Sequence, residues 1–347
     1  MSKTRTSKVK VAILGASGYS GEELIRLLVR HPGVEINAIT SRQYAGKGVE
    51  EVFPRFSGTG LVFSAPDVDK IAASCDAAFL ALPHGLAAEF AIPLMKKGVK
   101  VIDISADFRL KSKEKYFEYY KHEHPAPELL KDAVYGLPER YRRQIRDAKL
   151  ISCPGCYPTS IILPLSVLLS EKLVSNEGIV VASMSGVSGA GRKVELPFIF
   201  PECNESVRAY SPSGHRHLPE IEQELAFAAD MADIKINFIP HLVPINRGIS
   251  STIICRPAKG VGADSIRKAF LDAYEKETFV RVLPDGRLAD TKNVSMTNIC
   301  EFGFVLDQHT GRLVITSAID NLTKGASGQA IQCLNIISGY GETEGLL

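Results

Sequence analysis

The segment that decides the fold is Val9–Leu14 (VKVAIL), then Gly15-Ala16-Ser17-Gly18-Tyr19-Ser20-Gly21, then residues 22–30 (EELIRLLVR). The first six residues form a short, nearly continuous apolar run, as a strand buried on both faces requires. Residues 22–30 carry helical periodicity, and His31-Pro32-Gly33 stops it. Residues 34–40 (VEINAIT) read as the next strand, which completes a βαβ unit. Glycines between a strand and a helix let the backbone approach a ligand and offer free N–H groups to a phosphate. The spacing is GxxGxxG rather than GxGxxG, so its position in the chain argues more than the pattern itself. A tight turn without a ligand is the alternative. The cofactor-binding candidates here are Gly15, Ser17, Gly18, Tyr19, Ser20 and Gly21.

Working outward, further strands read at residues 77–82 and 99–104, with a helix at 87–97 between them. Strands alternating with helices imply a doubly wound parallel sheet. The end of the second strand selects the cofactor. NAD enzymes place an acid there for the ribose hydroxyls. This chain has Thr40-Ser41-Arg42, and the Arg42 fork suits a 2′-phosphate, so NADP(H) is expected, with Ser41 beside it. An ordinary surface role for Arg42 is the alternative.

After Pro154 the texture changes. A helix reads over residues 158–173 and another over 219–229. Strand-like runs read at 178–184, 234–239, 248–255, 302–306 and 313–319, and a last helix at 327–338. This is the pattern of an α+β domain. With 347 residues, two domains are natural. The expected division is 1–155, completed by 321–347, for cofactor, and 156–320 for substrate and oligomerisation.

Formal net charge is +2, which gives no reason to expect nucleic acid as a partner. The basic start (Lys3, Arg5, Lys8, Lys10) reads as a solvated tail. No run approaches the ~18 apolar residues of a membrane span. Seven scattered cysteines imply free thiols and a reducing, cytoplasmic compartment. Cys153 and Cys156 have CxxC spacing, but no second Cys or His pair stands beside them, so no metal is expected.

In Ser152-Cys153-Pro154-Gly155-Cys156-Tyr157-Pro158-Thr159 a Pro-Gly turn sets Cys156 at the entrance of an apolar helix. N–H groups and the helix dipole there stabilise a thiolate, the form a nucleophile needs. Cys153 reads as packed. A buried structural thiol is the competing role for Cys156. Acid/base partners are sought among His215, His217 and His241. A second glycine-rich loop, residues 185–193 (SGVSGAGRK), gives Ser188 and Gly189 as contacts for the nicotinamide side of a cofactor. Ser185, Arg192 and Lys193 are candidates for an anionic substrate, with Arg208 a further cation.

Taken together the motifs resemble the type 1 N-acetyl-γ-glutamyl-phosphate reductases of arginine biosynthesis. They are GASGYSG at 15–21, SADFRL at 105–110, YGLPE at 135–139, PGCYPT at 154–159, SGVSGAGR at 185–192, HRHLPEI at 215–221, PHLVPINRGI at 240–249 and DNLTKGASGQAIQ at 320–332. The resemblance implies a Rossmann-type NADP-binding domain plus an α+β domain like those of glyceraldehyde-3-phosphate and aspartate-semialdehyde dehydrogenases. It implies an oxidoreductase of class 1.2.1 that forms a thioacyl intermediate on Cys156, with His217 as acid/base. It also implies Arg109 on a substrate carboxylate or phosphate, Asn321 and Gly325 against the nicotinamide, and a dimer or tetramer. Two rivals stand beside it. One is a reductase of the one-carbon-longer aminoadipyl phosphate, free or carrier-bound, in lysine biosynthesis. The other is an NADP-binding sensor without catalysis.

Overall fold

The computed structural model describes residues 7–192 and 194–347. The chain divides into two compact units. One comprises the residues up to Tyr116, His122–Pro154 and Ala326–Leu347; the other comprises Phe117–Lys121 and Gly155–Gly325.

The first unit holds a seven-stranded sheet: β1 (Val9–Leu14), β2 (Val34–Thr40), β3 (Phe63–Ser64), β4 (Ala77–Leu80), β5 (Lys100–Asp103), β6 (Val134–Tyr135) and β7 (Leu150–Ser152). The order is β3-β2-β1-β4-β5-β7-β6, and every pairing is parallel. Strand order reverses between β1 and β4, which is where doubly wound sheets bind ligands. In β1 five of six residues are buried, which explains the unbroken apolar run. The helix after the glycine loop begins at Tyr19, three residues before the sequence reading placed it. The glycines hid its first turn, since glycine is a poor helix former.

The last helix, Gly328–Ser338, is buried on nearly every residue within this unit. Ser327 Oγ donates to Ser20 C=O at 2.8 Å, and Tyr340 Oη donates to Gly33 C=O at 2.6 Å. The C-terminal segment therefore locks onto both ends of helix Tyr19–Leu28.

The second unit holds a mixed sheet of β8 (Ile179–Ser185), β9 (Arg208–Ala209), β10 (Ile236–Leu242), β11 (Ile249–Cys255), β12 (Val280–Val282), β13 (Cys300–Asp307) and β14 (Arg312–Ile319). Its order is β12-β13-β14-β11-β8-β10-β9. β8 and β11 share the burial pattern of alternating buried and less buried residues, as a sheet covered on one face demands. The covering element is helix Cys156–Ser170, buried on most residues all round, so it shows no amphipathic stripe. Ser160 Oγ meets Ser251 Oγ at 2.8 Å, and Ser251 meets Ser183 at 2.7 Å. These hydroxyls satisfy one another under the helix. Helix Ala263–Tyr274 and strand β12, absent from the sequence reading, complete the unit.

Candidate active site

In the second unit, Cys156 is the first residue of its helix. Gly155 is the N-cap, in extended conformation (φ −65°, ψ 157°) and without a side-chain cap. The first-turn N–H groups thus lie around Cys156, and Gly155 has no side chain with which to cap them. Cys156 is partly exposed, whereas Cys153 is fully buried at the end of β7.

One residue of helix Leu218–Ala229 and the helix N-cap converge on Gly155. The Gly155 N–H donates to Glu220 Oε1 at 2.8 Å, with Glu220 only 1% exposed. His217, the N-cap, lies over Gly155 on the other side, where a Cβ would stand 2.6 Å from His217 Nε2. The sequence reading quoted Glu220 only inside a motif. Its partner is 65 residues away, and nothing local signals that contact.

His215 sits in an aromatic wall with Tyr157, Tyr210, His217 and Phe238. Burial, aided by the Arg216 charge, pushes the His215 imidazole down to about 4, so it is neutral at pH 7. Its Nδ1 accepts the His217 N–H at 3.1 Å, which fixes the turn carrying His217. Tyr157 and Tyr210 meet hydroxyl to hydroxyl at 2.9 Å. Burial raises both phenols, Tyr210 to about 12, so the pair stays neutral beside the thiol. His241 is elsewhere engaged: its ring bonds the Ile239 carbonyl at 3.1 Å.

Gly325 closes the site from the opposite segment, where a Cβ would lie 2.8 Å from Cys156 Cβ. Only glycine lets that backbone pass so close to the nucleophile. Asn321, expected against a cofactor, is 2% exposed, and its amide bonds Gly248 N–H (2.7 Å) and Ser188 Oγ (2.9 Å). Ser188 is buried, and Gly189 is exposed beside it. Ser185 is buried and donates to Gly186 C=O at 3.1 Å. Arg192 is exposed, Arg208 Nη2 donates to Pro197 C=O at 2.8 Å, and Lys193 lies outside the described residues.

In the first unit, Arg109 is bonded within the chain. It is 6% exposed, and its guanidinium donates to Cys153 C=O (Nε, 2.9 Å) and Ile104 C=O (Nη2, 2.8 Å). It braces the ends of two strands rather than presenting its fork to open space. SADFRL is thus a structural knot: Asp107 accepts from Gly85 and Ala87 N–H at 2.6 and 2.9 Å, and Asp103 accepts from Ser105. Burial, then the Asp107 charge, holds the Asp103 carboxyl up at about 7.

The glycine loop at 15–21 passes a fit test for a dinucleotide. Gly15 has φ +77°, and a Cβ there would meet Ala81 O at 2.3 Å; at Gly21 it would meet Ala16 Cα at 2.5 Å. Those two glycines are needed by the protein's own packing. At Gly18 a Cβ would touch only Gly15 O, at an ordinary 3.6 Å. Packing alone does not demand that third glycine, whereas a phosphate seated on the helix end does. The Ser17 and Ser41 hydroxyls meet at 3.0 Å across β1 and β2. Arg42 is exposed beside them, in a loose 3.6 Å pair with exposed Glu89.

Residues 10–148 match the semialdehyde dehydrogenase NAD-binding domain, and residues 156–321 match the semialdehyde dehydrogenase dimerisation domain. A protein of Akkermansia muciniphila named N-acetyl-gamma-glutamyl-phosphate reductase is 51% identical over 98% of this chain and 99% of its own length. The chain belongs to the N-acetyl-gamma-glutamyl-phosphate reductases. A reductase of the same name from Pelotomaculum thermopropionicum is 50% identical over 97% of both chains. The fold is that of aspartate semialdehyde dehydrogenases. The Vibrio cholerae enzyme II superimposes with a TM-score of 0.73 at 19% identity, over 96% of this reductase and 99% of that chain. The Candida albicans enzyme, solved with NADP, gives 0.71 at 17% identity, over 95% and 98%.

Proposed function

We propose that this reductase converts N-acetyl-γ-glutamyl phosphate to the 5-semialdehyde and phosphate, using NADPH and a thioacyl intermediate on Cys156. The observation that carries this reading is the arrangement at Gly155: a partly exposed thiol at an uncapped helix N-terminus, with His217 and Glu220 gripping the preceding residue. The Cys156 thiolate attacks the acyl carbon, a C–S bond forms, and the C–O bond to phosphate breaks. Bound NADPH would supply the hydride for reduction of the thioester carbonyl. His217 gives a proton to the resulting thiohemiacetal oxygen and takes it back as the C–S bond breaks, which frees the aldehyde and the thiolate. Gly18 and the first-turn N–H groups would hold the cofactor's bridging phosphates, and Arg42 its 2′-phosphate. Relatives of this chain carry the glutamyl name, and the aminoadipyl and sensor alternatives find no support among them.

The reductase acts as a homodimer through the open face of its mixed sheet. Val180, Met184, Thr252, Ile254, Val314 and Thr316 share that face in register, only part-covered within one chain. An apolar patch of this kind marks an interface.

The deciding experiment is the reverse reaction: NADPH formation from N-acetylglutamate semialdehyde, NADP and phosphate. Wild type turns over and Cys156→Ser does not. A fully active Cys156→Ser protein removes the covalent mechanism; an inactive wild type removes the substrate assignment.

A further inference from the structure

Three loops leave the same end of three adjacent strands. Residues 185–191 begin at the end of β8, residues 245–248 lead into β11, and residues 320–325 follow β14. Ile249 pairs with both Ser185 and Ile319, so the loops start side by side. One buried amide ties all three. Asn321 Oδ1 accepts the Gly248 N–H at 2.7 Å, and Nδ2 donates to Ser188 Oγ at 2.9 Å. Ser188 Oγ in turn donates to Asn246 C=O at 2.6 Å. The orientation is forced, because the reversed amide would point its NH2 at the Gly248 N–H. Next to it, Arg247 clasps Asp320 with two 2.9 Å bonds, which holds the neighbouring backbone. The same 320–325 segment lays Gly325 against Cys156.

The glycine-rich loop is held to residues 245–248 by backbone bonds from the Gly186, Val187 and Ser188 N–H groups, and the Asn321–Ser188 bond ties it directly to the segment that carries Gly325. At 2% exposure, Asn321 offers almost no surface to a ligand, whereas Gly189, next to Ser188, is exposed. We infer that Asn321 is a positioning residue: through Ser188 it fixes the glycine-rich loop relative to Cys156, and the loop backbone, not the Asn321 amide, meets the cofactor. This rests on the reading above that the loop receives the nicotinamide side.

The test compares Ser188→Ala, Ser188→Thr, Asn321→Ala and the Ser188→Ala/Asn321→Ala double variant. Three quantities are read: NADPH affinity from its fluorescence enhancement, kcat, and the rate of Cys156 alkylation by iodoacetamide without cofactor. Ser188→Ala lowers kcat about five- to tenfold, the scale of one neutral hydrogen bond, and Ser188→Thr recovers most of the loss. The double variant loses less than the two single variants combined, because both break the Asn321–Ser188 bond. Alkylation stays within about twofold throughout, since the helix N-terminus is untouched. The inference is overturned if Asn321→Ala weakens NADPH about tenfold while Ser188→Ala leaves both affinity and kcat within about twofold; that pattern means direct contact. Should Asn321→Ala fail to fold, the Ser188 pair still decides: no loss in Ser188→Ala sinks the idea. Failure of the wild type to bind NADPH removes the functional reading instead.

Discussion

A methyl group at residue 155 has nowhere to go. It would stand 2.6 Å from His217 Nε2, and the Gly155 N–H is already anchored to Glu220. Something must give, and the atoms the methyl would meet are those at the far end of the His217 imidazole. Gly155→Ala should therefore displace His217 and lower kcat by about a hundredfold, the usual result of misplacing a reacting group by about 1 Å. Cys156 should still alkylate, because the helix N-terminus survives. Parallel measurement of kcat and alkylation rate checks this; equal loss of both would show that the thiol, not the histidine, had moved. At this scale the sequence spoke clearly about Cys156, because Pro-Gly before an apolar helix has a local physical meaning. It was silent on Glu220 and on the bonds that Arg109 and Asn321 make within the chain. Their side chains carry charge or amide groups that suit a ligand, yet their partners are backbone groups brought near by the fold.

Among the elements, β5 carries an unusual burden, for it ends on the fully buried Asp103. The carboxyl is held at about 7, against roughly 4 in an unfolded chain. Between those values the folded state keeps a proton that the unfolded state has lost, so this group's contribution to stability falls as pH rises from about 4 through 7. Asp103→Asn keeps an acceptor for Ser105 and removes the titration. Thermal melts of wild type and variant from pH 5 to 8 should show the variant gaining relative stability as pH rises; curves that stay parallel would refute it. His215, depressed to about 4, works in the opposite sense below about 6.5, which is why the difference between the two proteins is the quantity to read. Elements were legible where periodicity was long. β2 matched residue for residue, and β1 too. β3, β6 and β9 are two residues each, too short to show any period. Helix Ala263–Tyr274 buries only Ile266, Phe270 and Tyr274, a stripe one residue wide between charges. β13 begins two residues before its apolar run, because Glu301 is buried there and bonded to Asp290 N–H and Arg281.

For the whole molecule, the exposed face of the mixed sheet is the proposed dimer interface, and it can be tested directly. Met184 and Ile254 are 46% and 38% exposed near its centre. Met184→Glu with Ile254→Glu puts two charges per chain where the partner would lie, and light scattering after size exclusion should then report monomers in place of dimers. A wild type that already runs as a monomer would refute the dimer. Among the described residues no helix is long and apolar enough to cross a membrane. The alternation of strand and helix made the first sheet's architecture readable in outline; the order of the mixed sheet was not, because its strands pair across long, irregular excursions. One feature of chain path governs how such a molecule is made. The helix that packs into the first unit, Gly328–Ser338, is translated only after the whole of the second unit. A ribosome finishing the second unit has already exposed the parallel sheet for some tens of seconds, at about 5–20 residues per second, with the seat of that helix still bare. The usual vectorial order, amino-terminal domain first, is closed to this chain. The parallel-sheet unit must wait, apolar seat uncovered, for residues made after the unit that interrupts it.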